Sequence, residues 1–227
     1  MTTIAVMQPY FFPYLGYYRL LASADIFVHF DCVQFPRRGY VHRNQMPKYP
    51  PTGFEQPKYW LTLPLAVQAR EVRIADLAFA PDAASEWQNR LSSFPWISKA
   101  DGPEQAELIQ LVRSVEDNAN VSDYLIGTLE FSAERLGLKP RMLRSSSLAI
   151  PADLRGQDRI LEILRLLGGN RYINAPGGRA LYDTAQFERR GIELKFLPAF
   201  AGRTNSILYE FCFHPVEALR AELPDMV

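Results

Sequence analysis

Short β-rich apolar runs alternate with helical stripes at both ends of the chain, and this alternation limits the fold more than any other feature. Residues 3–7 form such a run before a helix predicted over 14–23, and the clearest strand follows at 25–33. Near the other end, a helix predicted over 157–167 stops at paired glycines before a strand at 171–174. Successive strand–helix–strand units favour an α/β fold with a mostly parallel, Rossmann-like sheet and helices on both of its faces.

The same periodicities predict the remaining elements. Further strands are expected at 60–65, 141–150 and 193–199, and further helices at 108–115, 122–136, 206–213 and 215–222. Residues 34–58 are predicted to be irregular. Residues 66–100 are interpreted as an irregular insertion that contains one strand candidate, EVRIADL at 71–77. Because nothing marks a linker or an internal repeat, we expect one domain over 1–227.

Charge and cysteine content exclude several classes of protein. The 25 basic and 25 acidic residues balance, whereas a duplex-binding protein usually carries a basic surplus, so a nucleic-acid partner is not expected. Two cysteines are too few for a disulfide framework and fit a reducing compartment. The sequence shows no signal-peptide pattern and no apolar run of the roughly 20 residues that a membrane helix needs. We therefore expect a cytoplasmic protein without membrane insertion.

Three loops with unusual composition directly follow predicted strands. They cover residues 8–16, 34–44 and 174–178. Ligands of open α/β sheets collect at the carboxyl ends of the strands, where such loops meet. The binding site is therefore expected to be built from these three segments.

The first loop is rich in aromatic residues. Tyr10 and Tyr14 can form a wall on which a planar or sugar ring stacks, and Gln8 can read that ring by hydrogen bonds. The alternative is that the aromatic side chains are core, while proline and glycine shape the turn.

The second loop carries the charged candidates. Arg38 and Arg43 can hold a phosphate or carboxylate bidentately, and Asp31 or His42 can act as general base. The other candidates for substrate binding here are Gln34, Tyr40 and Asn44. The alternative is a solvated basic loop with one structural ion pair.

The third loop brings Asn174, Gly177 and Gly178 after a strand, where backbone N–H groups can approach a ligand closely. It matches neither a Walker A motif nor GxGxxG, and a tight turn explains it equally well. Cys32 is interpreted as packing rather than as a nucleophile. The scattered histidines and cysteines lack metal-ligand spacing, so neither a metal nor another cofactor is expected.

The chain resembles the WbqC-like protein family in several long motifs. These are MQPYFFPYLGY, DCVQFPRRGYVHRNQ and WLTLPL near the start, and DRILEILRLLGGNRYINAPGGRALYD and SILYEFCFHP downstream. The resemblance covers nearly the whole chain apart from roughly 66–100. It implies that the shared polar positions are Gln8, Asp31, Gln34, Arg38, Arg43 and Asn44. Tyr40 stands at the family's tryptophan position, and Cys32 replaces an asparagine or aspartate.

A fainter resemblance links the first strand, the proline-aromatic loop and the next helix to nucleotidylyltransferases. Those enzymes stabilise a phosphate with two histidines, and the matching positions here are Tyr14 and Tyr17. Since tyrosine lacks the cationic donor, adenylyl transfer by that mechanism is not expected, and the resemblance concerns the fold.

The WbqC-like resemblance implies an acyl or aminoacyl transferase that acts on a sugar or small-metabolite amine. Its setting would be bacterial surface-polysaccharide (O-antigen) or specialised-metabolite biosynthesis. The expected partner is a small-molecule substrate, such as a nucleotide-sugar or a donor linked to a carrier protein. The alternative is a non-catalytic binding or scaffold protein of the same pathway. Single-stranded nucleic-acid binding is a third reading, which the zero net charge disfavours.

Overall fold

The computed structural model describes residues 1–99, 103–117 and 120–223. Its centre is a five-stranded sheet in which every neighbouring pair is parallel, with the order β5-β2-β1-β6-β7. The strands are β1 (Thr3–Met7), β2 (Ile26–His29), β5 (Arg141–Arg144), β6 (Arg171–Asn174) and β7 (Glu193–Phe196). The expected Rossmann-like α/β architecture with a parallel sheet is confirmed.

Helices occur at or near every predicted position, and three more form at Ala83–Ser92, Pro95–Ser98 and Thr184–Glu188, where none was predicted. The helices are α1 (Leu15–Ala22), α2 (Ala83–Ser92), α3 (Pro95–Ser98), α4 (Pro103–Arg113), α5 (Val121–Arg135), α6 (Gly156–Leu167), α7 (Thr184–Glu188), α8 (Ile207–Phe213) and α9 (Val216–Arg220). Short 3-10 turns occupy Ile74–Asp76, Ser114–Asp117, Ser145–Ser147 and Pro176–Leu181. None of the helices in the described ranges has the length and apolar character needed to span a lipid bilayer.

Strand side chains alternate between two apolar layers, because successive residues of a strand point to opposite faces. Ala5 and Phe27 belong to the larger core, which α1 and α5 cover. Ile4 and Val28 belong to the smaller core on the other face, where they pack with Leu164 of α6. Helices therefore lie on both faces of the sheet.

The order of the strands creates one reversal. The chain runs outward through β1, β2 and β5, then returns to the centre and runs outward again through β6 and β7. The reversal lies between β1 and β6, which pair in parallel with Thr3 opposite Arg171. Loops that leave β1 and β6 turn away from each other there, and a crevice opens between them.

The segment after residue 65 packs into the larger core. The strand candidate at 71–77 is wrong: Ile74–Asp76 form a 3-10 turn, whose backbone bonds the loop after β2. Trp87 of α2 is fully buried, and its indole Nε1 donates to the Val112 carbonyl at 2.7 Å. The helices α2 and α3 of this segment therefore pack against the core as part of the domain. Residue 100 of the predicted insertion lies outside the described residues.

A two-stranded antiparallel hairpin stands apart from the central sheet. It is formed by β3 (Arg43–Pro47), which lies in the stretch expected to be irregular, and β4 (Lys58–Thr62), predicted at 60–65. The predicted strands 25–33 and 141–150 both stop early, at His29 and Arg144. The residues beyond these two ends form loops at the carboxyl edge of the sheet.

Candidate functional site

A cleft of about 530 Å³ opens at the reversal between β1 and β6. Its walls come from the loop after β1, the first turn of α1, the start of α6 and the loop after β6. Six residues predicted for substrate binding line it, and these are Gln8, Tyr10, Tyr14, Asn174, Gly177 and Gly178. The structure thus brings together the first and third of the three loops.

Aromatic side chains give the cleft its shape. The rings of Tyr10 and Tyr17 lie 5.6 Å apart, and the Tyr17 hydroxyl donates to the Gln8 carbonyl at 2.8 Å. Burial raises the pKa of Tyr10, and the nearby Tyr40 and Tyr14 add to that rise. Since its hydroxyl stays protonated at neutral pH, Tyr10 offers a ring face and a hydrogen-bond donor, and it is not a base.

Asn174 uses its side chain within the protein. Its Nδ2 donates to the hydroxyls of Tyr172 and Tyr182, each at 3.0 Å, and its Oδ1 accepts from the Ala175 backbone at 2.7 Å. A Cβ atom at Gly178 would lie 2.9 Å from that Nδ2, closer than real Cβ atoms come to a neighbour. Asn174 therefore fixes the position of Tyr182 at the cleft, and Gly178 leaves it room.

Asn44 supports the aromatic loop from behind. Its buried Nδ2 donates to the carbonyls of Phe11 (3.1 Å) and Phe12 (2.6 Å), and Phe12 has the left-handed φ of 40°. Ser206, at the start of α8, donates its hydroxyl to the same Phe12 carbonyl at 2.7 Å. Asn44 does not line the cleft; it holds in place the loop that does.

Asp31 has no exposed surface and does not line the cleft. Its carboxylate accepts hydrogen bonds from the Ser145 hydroxyl (3.0 Å) and from the backbone and hydroxyl of Ser146 (both 2.8 Å). These bonds tie the loop after β2 to the loop after β5. The role of general base stays a prediction for Asp31, while its geometry is that of a tether between two loops.

His42 and Gln34 also lie outside the lining. Burial lowers the pKa of His42 to about 4, with Arg43 and Arg90 contributing, so its imidazole is neutral and weakly basic at neutral pH. Its ring packs edge-on against Phe35 at 5.0 Å. Gln34 is exposed, and its Nε2 donates to the Arg70 carbonyl at 2.9 Å. The base role of His42 remains a prediction.

Of the two predicted anion-binding arginines, Arg43 lies on the hairpin side of the cleft. Arg38 is exposed, and Arg43 stacks on Trp60 with its guanidinium carbon 4.2 Å from the ring centroid. Tyr40 lies between the cleft and this pair, with its ring 6.0 Å from Tyr10 and 5.8 Å from Trp60. The second loop therefore reaches the rim of the cleft through Tyr40.

Sequence reasoning missed three residues here. Tyr182 and Gln157 line the cleft, and Trp60 extends its aromatic rim. Gln157 lies in the first turn of α6, where side chains face the carboxyl edge of the sheet. Its place at the start of a predicted helix could have identified it as a candidate. Trp60 could have been identified as a candidate because it is a large aromatic residue at the start of a predicted strand.

Cys32 lies near a cation without forming a close pair. Its Sγ is 4.0 Å from a terminal nitrogen of Arg159, and its backbone N–H donates to the Ser145 hydroxyl at 3.1 Å. Among residues 1–99, 103–117 and 120–223, no group of three or more histidine, cysteine, aspartate or glutamate residues is placed to hold a metal ion.

A larger depression of about 720 Å³ lies between α4, α5 and the two C-terminal helices. Burial raises the pKa of its Cys212 to about 12, so the thiol stays protonated and unreactive. Glu210 lies next to Phe211, one of the depression's lining residues. The buried Oε2 of Glu210 is 3.2 Å from His214 Nε2 and 3.5 Å from Arg203 Nε. Unlike the cleft, this depression is lined by helices and the segments between them, away from the carboxyl ends of the strands.

Comparison with known proteins gives a family and one distant relative. The profile of the WbqC-like protein family matches residues 8–203. An uncharacterized protein of Mycobacterium tuberculosis is 23% identical over 197 residues, which cover 86% of this chain and 81% of the relative. No solved structure gives a significant match.

Proposed function

Because the chain belongs to the WbqC-like protein family, we propose that it is a group transferase that binds its substrate in the cleft between β1 and β6. It would transfer an acyl or aminoacyl group to the amine of a sugar or small metabolite in bacterial surface-polysaccharide or specialised-metabolite biosynthesis. The observation that carries the proposal is the position of the cleft. Residues from two separate loops converge at the one reversal of a parallel sheet, where α/β enzymes bind ligands.

The chemistry of the lining fits catalysis by positioning. In an acyl transfer, the amine nitrogen attacks the carbonyl carbon, a C–N bond forms, and the leaving group departs with its bonding electron pair. The Gln8 amide can orient the acceptor, and the protonated hydroxyls of Tyr10 and Tyr182 can donate to the oxyanion that develops. The amine proton goes to the leaving group or to solvent.

A non-catalytic binding protein is the second candidate, and the composition of the lining favours it. No carboxylate, imidazole or thiol is among the described residues that line the cleft. A binding protein needs no general base, whereas many transferases use one. The two candidates therefore differ in whether product forms, and they agree on where the ligand binds.

A thermal-shift screen with a matched pair of glutamine variants tests the proposal. The panel holds UDP- and TDP-sugars, coenzyme A, phosphopantetheine and aminoacyl analogues. A ligand at a hundredfold excess over its Kd stabilises the fold by about 2.7 kcal/mol, which is roughly 5–10 °C for a chain of this size. We expect the shift in the wild type and in Gln34→Ala, and its loss in Gln8→Ala.

Mass spectrometry of the same mixtures distinguishes the two candidates. An N-acylated amine product supports the transferase. A ligand that shifts the melting temperature without any product supports the binding protein. A ligand whose shift is unchanged in Gln8→Ala contradicts the cleft as the binding site in either case.

A further inference from the structure

The aromatic wall of the cleft continues onto the outer face of the hairpin. We call Tyr10, Tyr40 and Trp60 the aromatic strip. The ring centroids follow one another at 6.0 and 5.8 Å, and the side chains of Tyr40 and Trp60 are 44% and 42% exposed. Tyr10 lines the cleft, so the strip begins inside the candidate site and ends on the protein surface.

The register of the hairpin explains why Trp60 faces outward. Trp60 pairs with Gln45, while the next residue, Leu61, pairs with Asn44 and is buried with it. Tyr59 points to the opposite face from Trp60, since successive strand residues alternate. Tyr59 carries its own cation, because the Lys48 ammonium lies 4.5 Å from its ring centroid.

The region around the strip carries an unbalanced positive charge in a chain with no net charge. Residues 32–65 contain five basic side chains and one acidic side chain, Glu55. The basic residues are Arg37, Arg38, Arg43, Lys48 and Lys58. Within the part of the chain that the structure describes, none of the five forms an ion pair with a carboxylate. No carboxylate of the described residues therefore neutralises this charge.

Arg43 is oriented for such a ligand. Its Nε donates to the Gly39 carbonyl at 3.3 Å, and its guanidinium lies over the Trp60 ring. The two terminal nitrogens have no hydrogen-bond partner among the described residues. A guanidinium that is fixed at Nε and free at its forked end can bind a phosphate bidentately.

We propose that the aromatic strip with Arg43 is a second subsite, which binds the diphosphate and one attached ring of a nucleoside diphosphate-linked substrate. This inference rests on the proposed function, because the other end of the same ligand occupies the cleft. No charged side chain is among the described residues lining the cleft, so a cationic side chain that binds the anionic part of a ligand has to lie beyond this lining. The strip provides a stacking surface and a free cation that adjoin the cleft through Tyr10.

Isothermal titration calorimetry with UDP-N-acetylglucosamine measures the contribution of the strip. Loss of one stacking ring weakens binding on the order of tenfold or more, which is the expected result for Trp60→Ala. Arg43→Ala should weaken UDP-N-acetylglucosamine by a similar factor while leaving the affinity for uncharged N-acetylglucosamine unchanged. Trp60→Phe, which keeps a ring, should recover most of the affinity.

The opposite face of the same hairpin supplies matched controls. Tyr59→Ala removes an exposed ring, and Lys48→Ala removes one positive charge stacked on a ring. Both should bind like the wild type. Intrinsic fluorescence gives a second readout, because Trp87 and Trp96 are buried and Trp60 is exposed. Quenching by UDP-N-acetylglucosamine should occur in the wild type and disappear in Trp60→Phe.

Parallel titration of Gln8→Ala separates this inference from the proposed function. Binding that depends on Gln8 but is unchanged in Trp60→Ala and Arg43→Ala overturns the strip and leaves the cleft. Binding that depends on the strip but not on Gln8 supports the strip and contradicts the proposed function. The strip is also overturned if UDP-N-acetylglucosamine shows no saturable binding. Tighter, steeply salt-dependent binding of a ten-residue oligothymidylate would instead assign the surface to single-stranded nucleic acid, which also overturns the proposal.

Discussion

Replacing Asp31 by asparagine tests whether its carboxylate tethers two loops. The side chain keeps its volume and loses its charge. One oxygen of Asp31 accepts from the Ser145 hydroxyl and the Ser146 backbone, and the other accepts from the Ser146 hydroxyl. In Asp31→Asn the carbonyl oxygen can keep the first two bonds. The amide NH₂ replaces the second acceptor, so the Ser146 hydroxyl must turn and accept.

The expected loss follows from the charge of the acceptor. A hydrogen bond to a charged group contributes about 1.5–3 kcal/mol and a neutral one about 1 kcal/mol, so three weakened bonds cost roughly 2–4 kcal/mol. In a chain of this length each kcal/mol lowers the melting temperature by about 2–4 °C, so the fall should be roughly 5–15 °C.

Thermal and urea unfolding at pH 7 measure this loss. Variants of two adjacent serines provide a comparison and a control. Ser146→Ala removes a hydroxyl that bonds Asp31, whereas Ser147→Ala removes one that bonds the Arg144 carbonyl. We expect Ser146→Ala to cost about 1–2 kcal/mol and to be coupled to Asp31→Asn in a double-mutant cycle. Ser147→Ala is exposed and should stay within about 0.5 kcal/mol of wild type.

A melting temperature of Asp31→Asn within about 2 °C of wild type would refute the tether, since three hydrogen bonds to a fully buried carboxylate cannot weaken without that cost. If transfer activity were lost while stability stayed intact, the general-base role would be the remaining explanation.

Three further predictions follow from buried groups. Burial lowers the pKa of His29 from 6.5 to about 4, so the unfolded chain takes up the proton first and stability falls as pH drops from 6.5 toward 4. The pKa of His42 is lowered to the same value, so His29→Leu should reduce this slope in urea unfolding without abolishing it, and an unchanged slope would exclude His29. Asn44→Ala leaves the Phe11 carbonyl without its side-chain donor and should cost about 2 kcal/mol in urea unfolding, whereas a loss below about 0.5 kcal/mol would mean that Asn44 does not support the loop. Gly178→Ala places a Cβ against the Asn174 amide and should weaken cleft ligands in calorimetry with little change in melting temperature; unchanged affinity would show that the amide can move.

Much of the sheet could be predicted from the sequence, because its two central strands β1 and β2 are mostly apolar and the longer helices have regular apolar stripes. Ile4 and Val6 alternate with Ala5 in a run that only a strand buried on both faces accommodates. The ends of strands were harder. Phe30 and Val33 extend the apolar pattern of β2, yet the strand stops at His29 because Asp31 turns the chain to meet Ser145 and Ser146. A hydrogen bond across 114 residues leaves no local signal.

In the candidate site, too, some residues could be placed from the sequence and others could not. Gln8, Tyr10 and Asn174 could be predicted because they lie at or shortly after the carboxyl end of a recognisable strand. The arginines and His42 follow a strand too, but β3 lies within their stretch and pairs with β4, and this carries Arg43 onto the hairpin instead of into the cleft. The pairing could not be predicted because β3 is mostly polar and lacks the alternation that marks a strand, although a strand was expected at β4.

The central position of β1 sets the time at which the protein gains its binding site during synthesis. The first strand emerges from the ribosome early, but its partner across the crevice begins at Arg171. At about 5–20 residues per second, the edge of β1 waits roughly 10–30 s for β6, and in that time it can pair with another chain. The aromatic loop waits longer, because the Tyr14 backbone is bridged by Ser206. A nascent chain therefore has to be translated beyond Ser206 before the loop after β1 has all of its partners and the cleft is complete.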